Sequence, residues 1–382
     1  MVIHQTPGVY REDVFATPRA ALPTGVPAFL GRTSGGTVNQ PVRLTIFSQL
    51  ADAFGPPLPE RHLASAVEGF FLNGGRECLV VPLAAGDPEA ALTAGLAALA
   101  TRQDLDLVCA PDLLVDAQDL DQILRMQTAI LRHCAAEGDR FALLDARPGA
   151  GLDQVLAQRN GLDGDGGIGG IGGNGALYHP WLRSMGSGRL VPPCGHVAGV
   201  VARCDQRTGV HKAPANEELE GVVDLAVGLT DADQALLNPA GVNALRAFPG
   251  RGIRIWGART LSHQAAWTYI NVRRLFLTAA RWIELNLADA AFEPHDTRLW
   301  NRITRELTTY FEGLFRAGAL KGSTAAEAFF VKCDGETNPP EVRETGRVVT
   351  VIGLAPGVPN EYVVVRIVHG AGGVDVAGPS QS

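Results

Sequence analysis

Cys194, His196, Cys204 and His211 bring two thiols and two imidazoles close together in the chain. Zinc takes such ligands in tetrahedral sets. The spacing C-x-H-x7-C-x6-H fits no standard finger, however, and the residues between are apolar. The favoured reading is a helix carrying its cysteines as small buried hydrophobes. Glu293, His295 and Asp296 form a second cluster, able in principle to shuttle protons. The same residues suit a helix start, with Asp296 or Thr297 as N-cap ahead of Trp300. The third candidate is the tract NGLDGDGGIGGIGGNG over 160–175, with GxGxxG matches beginning at Gly164, Gly167 and Gly170. A dinucleotide site needs a strand before that motif and a helix after it. Here Gln158-Arg159-Asn160 precedes and Gly173-Asn174-Gly175 follows, so the matches are read as products of composition and the tract as a flexible surface loop. No GxxxxGK[ST] loop, GxSxG elbow, HExxH helix or calcium loop occurs. The expectation is no catalytic residue, no cofactor and no metal. An α/β nucleotide-binding enzyme using the glycine tract stands as the rival.

Arg298, Arg302 and Arg305 recur at intervals of four and three, which sets three guanidinium groups along one helix face. Such a face is either simply solvated or built to dock on an acidic surface.

These candidates sit on an alternating pattern. Val26–Thr33 is a predicted strand, as is Arg43–Phe47; helices follow at Leu50–Phe54 and Leu63–Leu72, then a strand at Cys78–Leu83. Asp87 caps a helix over Pro88–Ala100, followed by strand Leu105–Ala110, helix Ala117–Ala136 and strand Phe141–Asp145. Short apolar strands alternating with helices imply a largely parallel sheet covered on both faces. Past the glycine tract come an apolar segment Leu177–Leu182, a helix near His196–Cys204, and strands at Val222–Thr230 and Ile253–Trp256. Two long helices, Asn271–Leu287 and Thr297–Leu320, precede strands Ala328–Cys333 and Arg347–Leu354. Pro356-Gly357-Val358-Pro359 reads as a stiff linker. A β-prone run, Glu361–His369, and a Gly/Ser-rich tail follow.

The organisation expected is therefore an extended N-terminal arm over 1–24, an α/β body over 25–250, an α+β domain over 251–355, and a C-terminal arm and tail over 356–382. Residues 1–24 lack a helical period and carry strand formers between prolines, so they have no core of their own.

The 382 residues are 46% hydrophobic and 19% charged, a foldable globular composition. A net charge of −7 without any Lys/Arg run offers no footprint for nucleic acid or for an anionic membrane surface. The first residues lack a charged start followed by an apolar core, and no stretch reaches the length of a membrane span. The six cysteines form no CxxC pair and read as buried reduced thiols.

Several segments resemble one family. Pro7-Gly8-Val9-Tyr10 and Gly25–Gly31 are similar to the opening of phage-type contractile tail sheath proteins, and Gly69–Gly75 is similar to the end of that family's first helix. The likeness is strongest in Lys212–Asn216, Leu237–Asn243, Gly250–Thr260, Tyr269–Arg274 and Cys333–Asn338, and the short length resembles the sheaths of extracellular contractile injection systems. The resemblance implies a structural subunit, not an enzyme, that polymerises around an inner tube. The array contracts from a metastable extended state and drives the tube through a target envelope. It further implies that both arms add strands to a sheet in a neighbouring copy. Carried onto this chain, the donors are Val9, Tyr10, Val14, Tyr362, Val363, Val364, Val365 and Ile367. The receiving sheet contains Phe329, Phe330, Val331, Val348, Val349 and Val351. Arg298, Arg302 and Arg305 become candidate contacts to the tube. The implied partners are other copies or paralogous sheath chains, the inner tube, and baseplate and terminator proteins, with no nucleic acid and no membrane insertion. Assembly in the bacterial cytoplasm, as part of a phage tail or a released tail-like particle, is the implied location.

Overall fold

The structure is a computed structural model that describes residues 22–117, 119–163, 170–290, 293–359, 366–370 and 373–377, the last two segments through their backbone. Its strands, in chain order, are β1 (Pro27–Gly31), β2 (Val42–Leu44), β3 (Cys78–Pro82), β4 (Leu107–Cys109), β5 (Phe141–Asp145) and β6 (Gly175–His179). Next come β7 (Leu182–Ser184), β8 (Leu190–Val191), β9 (Val222–Leu225), β10 (Val242–Phe248) and β11 (Gly252–Ile255). The last four are β12 (Phe329–Lys332), β13 (Val351–Leu354), β14 (Arg366–Gly370) and β15 (Gly373–Ala377).

An eight-stranded sheet of order β11-β10-β6-β5-β4-β1-β3-β2 forms the body, parallel from β10 to β3 and antiparallel at both edges. The residues of β1, β3 and β5 are buried without exception, because helices cover both faces. Alternate side chains feed two separate cores. Phe29, Val80 and Leu143 point to the side of the helices Leu63–Leu72 and Cys194–Arg207. Leu30, Val81 and Leu144 point to the side of Pro88–Ala97, Leu120–Glu137 and Leu152–Leu162. The first two helices touch through glycine: a methyl group on Gly195 would sit 2.1 Å from the Ala66 carbonyl oxygen, and one on Gly199 2.4 Å from that of Phe70. A side chain at either position would force the helices apart.

Gly252–Ile255 lies past residue 250 yet pairs with β10 as an edge of the body sheet. The α+β unit that follows has its own core. Leu275 and Ala279 of the helix Ile270–Asn286 meet Leu299, Ile303, Leu307 and Phe311 of the helix Thr297–Arg316, with Phe329 of β12 beneath. Asp296 caps the second helix, its Oδ1 accepting from the amides of Arg298 at 2.9 Å and Leu299 at 3.1 Å.

The flexible surface loop expected over 160–175 is regular structure over much of its described part. Residues through Leu162 belong to a helix, Gly172–Asn174 form a 3-10 turn, and Gly175 opens β6. Packing selects glycine at position 175, since a methyl group on Gly175 would meet Leu131 Cδ2 at 2.3 Å.

Candidate assembly interface

The small sheet of the α+β unit is antiparallel and two-stranded, with Phe329 opposite Leu354 and Lys332 opposite Val351. Phe329, Val331, Ile352 and Leu354 turn toward the helices. The other face shows Phe330, Lys332 and Val351, with Phe330 55% and Val351 44% exposed. The Phe330 ring lies over Gly353, where an added Cβ would approach Phe330 Cε1 to 2.1 Å. Each strand has one ladder partner among the described residues, so each keeps an open edge. Two strands with an apolar outer face are a marginal sheet on their own, and open edges are templates for a further strand.

The strand expected over Arg347–Leu354 begins only at Val351. Val349 donates its amide to Asn338 Oδ1 at 2.7 Å, and its carbonyl accepts from Asn338 Nδ2 at 2.9 Å. The buried amide side chain thus takes the place of a partner strand there. Asn338 is itself set by a turn in which Asp334 Oδ1 accepts from the amides of Glu336 at 2.9 Å and Thr337 at 3.1 Å. Val348 and Val349, expected inside the receiving sheet, stand just outside it as exposed apolar residues.

Beyond Pro359, β14 and β15 form an antiparallel hairpin with Ile367 opposite Val376. These two strands make a sheet of their own, separate from the other three. The sequence placed a β-prone run over Glu361–His369 and only a Gly/Ser-rich tail after it; the alternation of Val374 and Val376 builds the second strand. Val9, Tyr10, Val14, Tyr362, Val363, Val364 and Val365 lie outside the described residues.

The three arginines divide. Arg302 Nη2 contacts Asp289 at 3.1 Å, Arg302 Nη1 bonds Glu293, and its Nε lies 3.7 Å from Glu306. Arg298 and Arg305 stay exposed on the same helix. The Glu293–His295–Asp296 cluster is thereby dispersed: Glu293 neutralises Arg302, Asp296 caps, and the His295 ring stands edge-on to Trp300 at 5.6 Å.

Nucleotides bind doubly wound sheets at the carboxyl ends of strands where the order reverses, here between β1 and β4. That position is filled by the chain's own charges. Asp112 Oδ2 accepts from the Arg32 amide at 2.9 Å and Asp112 Oδ1 from the His62 amide at 2.6 Å, while Asp116 pairs with Arg32 and Arg61. Burial raises the Asp112 carboxyl, pushes Asp145 at the end of β5 up to about 7, and lowers His179 at the end of β6 to about 4. Perturbed groups of this kind mark active sites only when a cleft reaches them. The cavities alongside hold about 20 and 10 Å³, room for a water and not a nucleotide.

Cys194, His196 and Cys204 are buried on one helix. The Cys194 amide donates to Asp145 Oδ1 at 2.8 Å, and the His196 ring lies where a methyl on Gly69 would be. No group of three His, Cys, Asp or Glu is placed to hold a metal among the described residues, and none of the described helices is long and apolar enough to cross a membrane.

Polar contacts to which the sequence reading gave no role lie at the junction of body and α+β unit. Arg274 is buried between Asp106, at 2.8 Å, and Asp205, at 2.6 Å. Burial alone would lower the pKa of its guanidinium; the two carboxylates outweigh that and raise it. Arg273 donates twice to Asn174 Oδ1, at 2.8 and 2.7 Å, and lies 4.7 Å from the Trp267 ring centroid, fixing the end of the glycine tract.

The comparisons agree along the chain. Residues 87–261 match the model of the phage tail sheath protein central domain, and residues 262–369 that of the phage tail sheath C-terminal domain. The tail sheath protein of Vibrio phage KVP40 is 29% identical over 197 residues, covering 50% of this chain and 28% of the relative. That of Burkholderia phage BcepMu is 28% identical over 239 residues, covering 57% and 47%. The matched stretch thus spans less than half the length of these relatives. Among solved structures, the helical sheath of the anti-feeding prophage in its contracted state superposes with a TM-score of 0.76 at 29% identity, covering 96% of this chain and 100% of the other. The PVC sheath complex of an extracellular contractile injection system, also contracted, gives 0.78 at 25% identity, covering 97% and 99%.

Proposed function

Because the chain belongs to the phage tail sheath family, a family of structural proteins and not enzymes, we propose that it is the repeating subunit of a contractile sheath whose copies are linked by exchanged β-strands. The observation that carries this reading is the pair of sheets left unfinished among the described residues: β12–β13 with open edges and an exposed apolar face, and β14 and β15 paired there only with each other. Joining them across two copies adds main-chain hydrogen bonds, each contributing about 0.5–1.5 kcal/mol net, and buries Phe330 and Val351. The donated unit in this reading is the hairpin around Ile367, with the segment near Val9–Val14 as a second donor. Residues 356–359 serve as the tether, so copies stay joined while bodies rotate. The sheath encloses an inner tube, ends on baseplate and terminator proteins, and contracts by burying new body–body surface, with no nucleotide spent. It assembles in the bacterial cytoplasm and leaves as part of a phage tail or tail-like particle.

The test uses two versions of the chain, one with Ile367→Cys and one with Val349→Cys, mixed before assembly. A disulfide between copies is expected in assembled cylinders under oxidising conditions. Cross-links confined to a single copy, or none in well-formed cylinders, would overturn strand exchange at this sheet.

Arg298 and Arg305 are the arginines free to meet the tube, Arg302 being neutralised within the chain. Reversing both charges to Glu is expected to weaken docking on the tube while leaving empty sheath assembly unchanged. Unaltered tube occupancy in micrographs would remove this assignment.

A further inference from the structure

One face of the helix Ile270–Asn286 carries three buried polar side chains, Asn271, Arg274 and Arg281. At about 100° per residue they fall within an arc of roughly 80°. Each reaches a different part of the chain.

Arg281 is 2% exposed. Its Nη1 donates to the Pro23 carbonyl at 3.1 Å and its Nη2 to the Gln103 carbonyl at 2.9 Å. No carboxylate pairs with it among the described residues. A buried guanidinium held by carbonyls alone is costly, so the contact is too expensive to be filler. Three residues after Pro23, the Val26 amide donates to Asp106 Oδ1 at 2.7 Å, and Asp106 is a partner of Arg274. The exit of the N-terminal segment is thus held at two points tied to this helix. At the helix start, Asn271 Nδ2 donates to the carbonyls of His211 at 2.9 Å and Gly357 at 3.0 Å. Gly357 is the root of the C-terminal segment.

We infer that the helix Ile270–Asn286 is a common anchor for both ends of the chain, with Arg281 gripping the N-terminal root, Asn271 the C-terminal root, and Arg274 fastening the helix to the body. This inference rests on the strand-exchange reading. If neighbours hold the two arms, load on either arm enters the subunit through one helix, and the body turns as a unit instead of the arms peeling from it. Arg281 and Asn271 are then positioning residues for assembly: they touch no partner, and they fix the direction in which the exchanged strands leave.

The test reads the anchor and the assembly separately, in the full chain. Arg281→Met keeps length and removes a buried unpaired charge, Arg281→Lys keeps the charge with less donor reach, and Asn271→Ala removes the other grip. In the unassembled chain, hydrogen exchange over residues 22–26 is expected to quicken about tenfold in Arg281→Met, less in Arg281→Lys, and over residues 355–358 in Asn271→Ala, with β1 and β5 unchanged. The fraction sedimenting as cylinders should fall several-fold in parallel. Unchanged exchange at the roots would overturn the anchor, and so would faster exchange with assembly at the level of the unaltered chain. Should Arg281→Met fail to fold, Asn271→Ala decides by the same two readouts. Failure of the strand-exchange reading has a different signature: a chain ending at Pro359 would then assemble normally, whatever the anchor variants do.

Discussion

A chain ending at Pro359 is expected to fold normally and to form no cylinders. The cores explain the first half. Among the residues whose side chains are described, none beyond Leu354 contributes to any of the three hydrophobic clusters. The last ties to the α+β unit come earlier: the Ala355 carbonyl accepts from the Lys321 amide at 2.7 Å, Pro356 bridges Leu320, and Gly357 is held by Asn271. A cut after residue 359 keeps all of these, whereas one before Pro356 would confound assembly with local damage. Loss of stability should stay within about 0.5 kcal/mol, the range of changes that touch no buried group. The second half follows from the sheets. The truncation removes β14–β15, so β12–β13 has no C-terminal strands to receive, and several main-chain bonds per junction vanish together. Thermal unfolding would show an unshifted transition, and electron micrographs would show no ridged cylinders. Cylinders of ordinary length from the truncated chain would defeat the proposed linkage.

Much of the body was legible because its signals are local. Cys78–Pro82 is a run of apolar residues ended by proline, and Asp87 caps the helix that follows by accepting from the Ala90 amide at 2.9 Å. The strand Val242–Phe248 was not legible, since Asn243 and Arg246 interrupt it. The fold absorbs Asn243 in the core, where its Nδ2 donates to the Leu177 and Arg259 carbonyls at 3.3 and 2.7 Å and its Oδ1 accepts from the Arg259 amide at 2.7 Å. A buried amide with such bonds costs little, but its partners are far away in sequence or, for Arg259, across a hairpin. The same holds for the assembly region. Arginines on the helix Thr297–Arg316 were expected on the face opposite its apolar stripe, and Arg298 and Arg305 stand there exposed. Arg274 and Arg281 follow the same composition on the preceding helix, yet they are buried, because their acceptors come from residues 23, 103, 106 and 205. Helical periodicity reports which face meets apolar neighbours; it carries no information on carbonyls or carboxylates delivered by another element. Asn338 shows the limit most sharply: a side chain imitating a strand shortened a predicted strand from Arg347–Leu354 to Val351–Leu354.

Arg274→Ala should be the most damaging single substitution at the junction, and its cost should depend on pH in a defined direction. The guanidinium neutralises two carboxylates that are themselves 5% and 1% exposed. Removing it strands both charges in a dry site, a loss of about 3–5 kcal/mol for a broken buried pair. Burial already raises the Asp205 carboxyl above its ordinary value of 3.8, with the guanidinium opposing that rise; without Arg274 the opposition disappears and the carboxyl rises further. An acid whose folded pKa lies above its unfolded one favours the folded state below the unfolded value, and this contribution is lost as pH climbs through the folded pKa. The deficit of Arg274→Ala relative to the unaltered chain should therefore be smallest near pH 4 and grow toward neutrality. Adding Asp205→Asn should recover part of it by removing one stranded charge, and the two substitutions, being in contact, should not add. Denaturant titrations of the unassembled chain across that pH range provide the measurement. A deficit constant with pH, or no recovery in the double variant, would mean that the triad is not what binds the helix Ile270–Asn286 to the body, and that packing by Ile270 and Leu277 suffices.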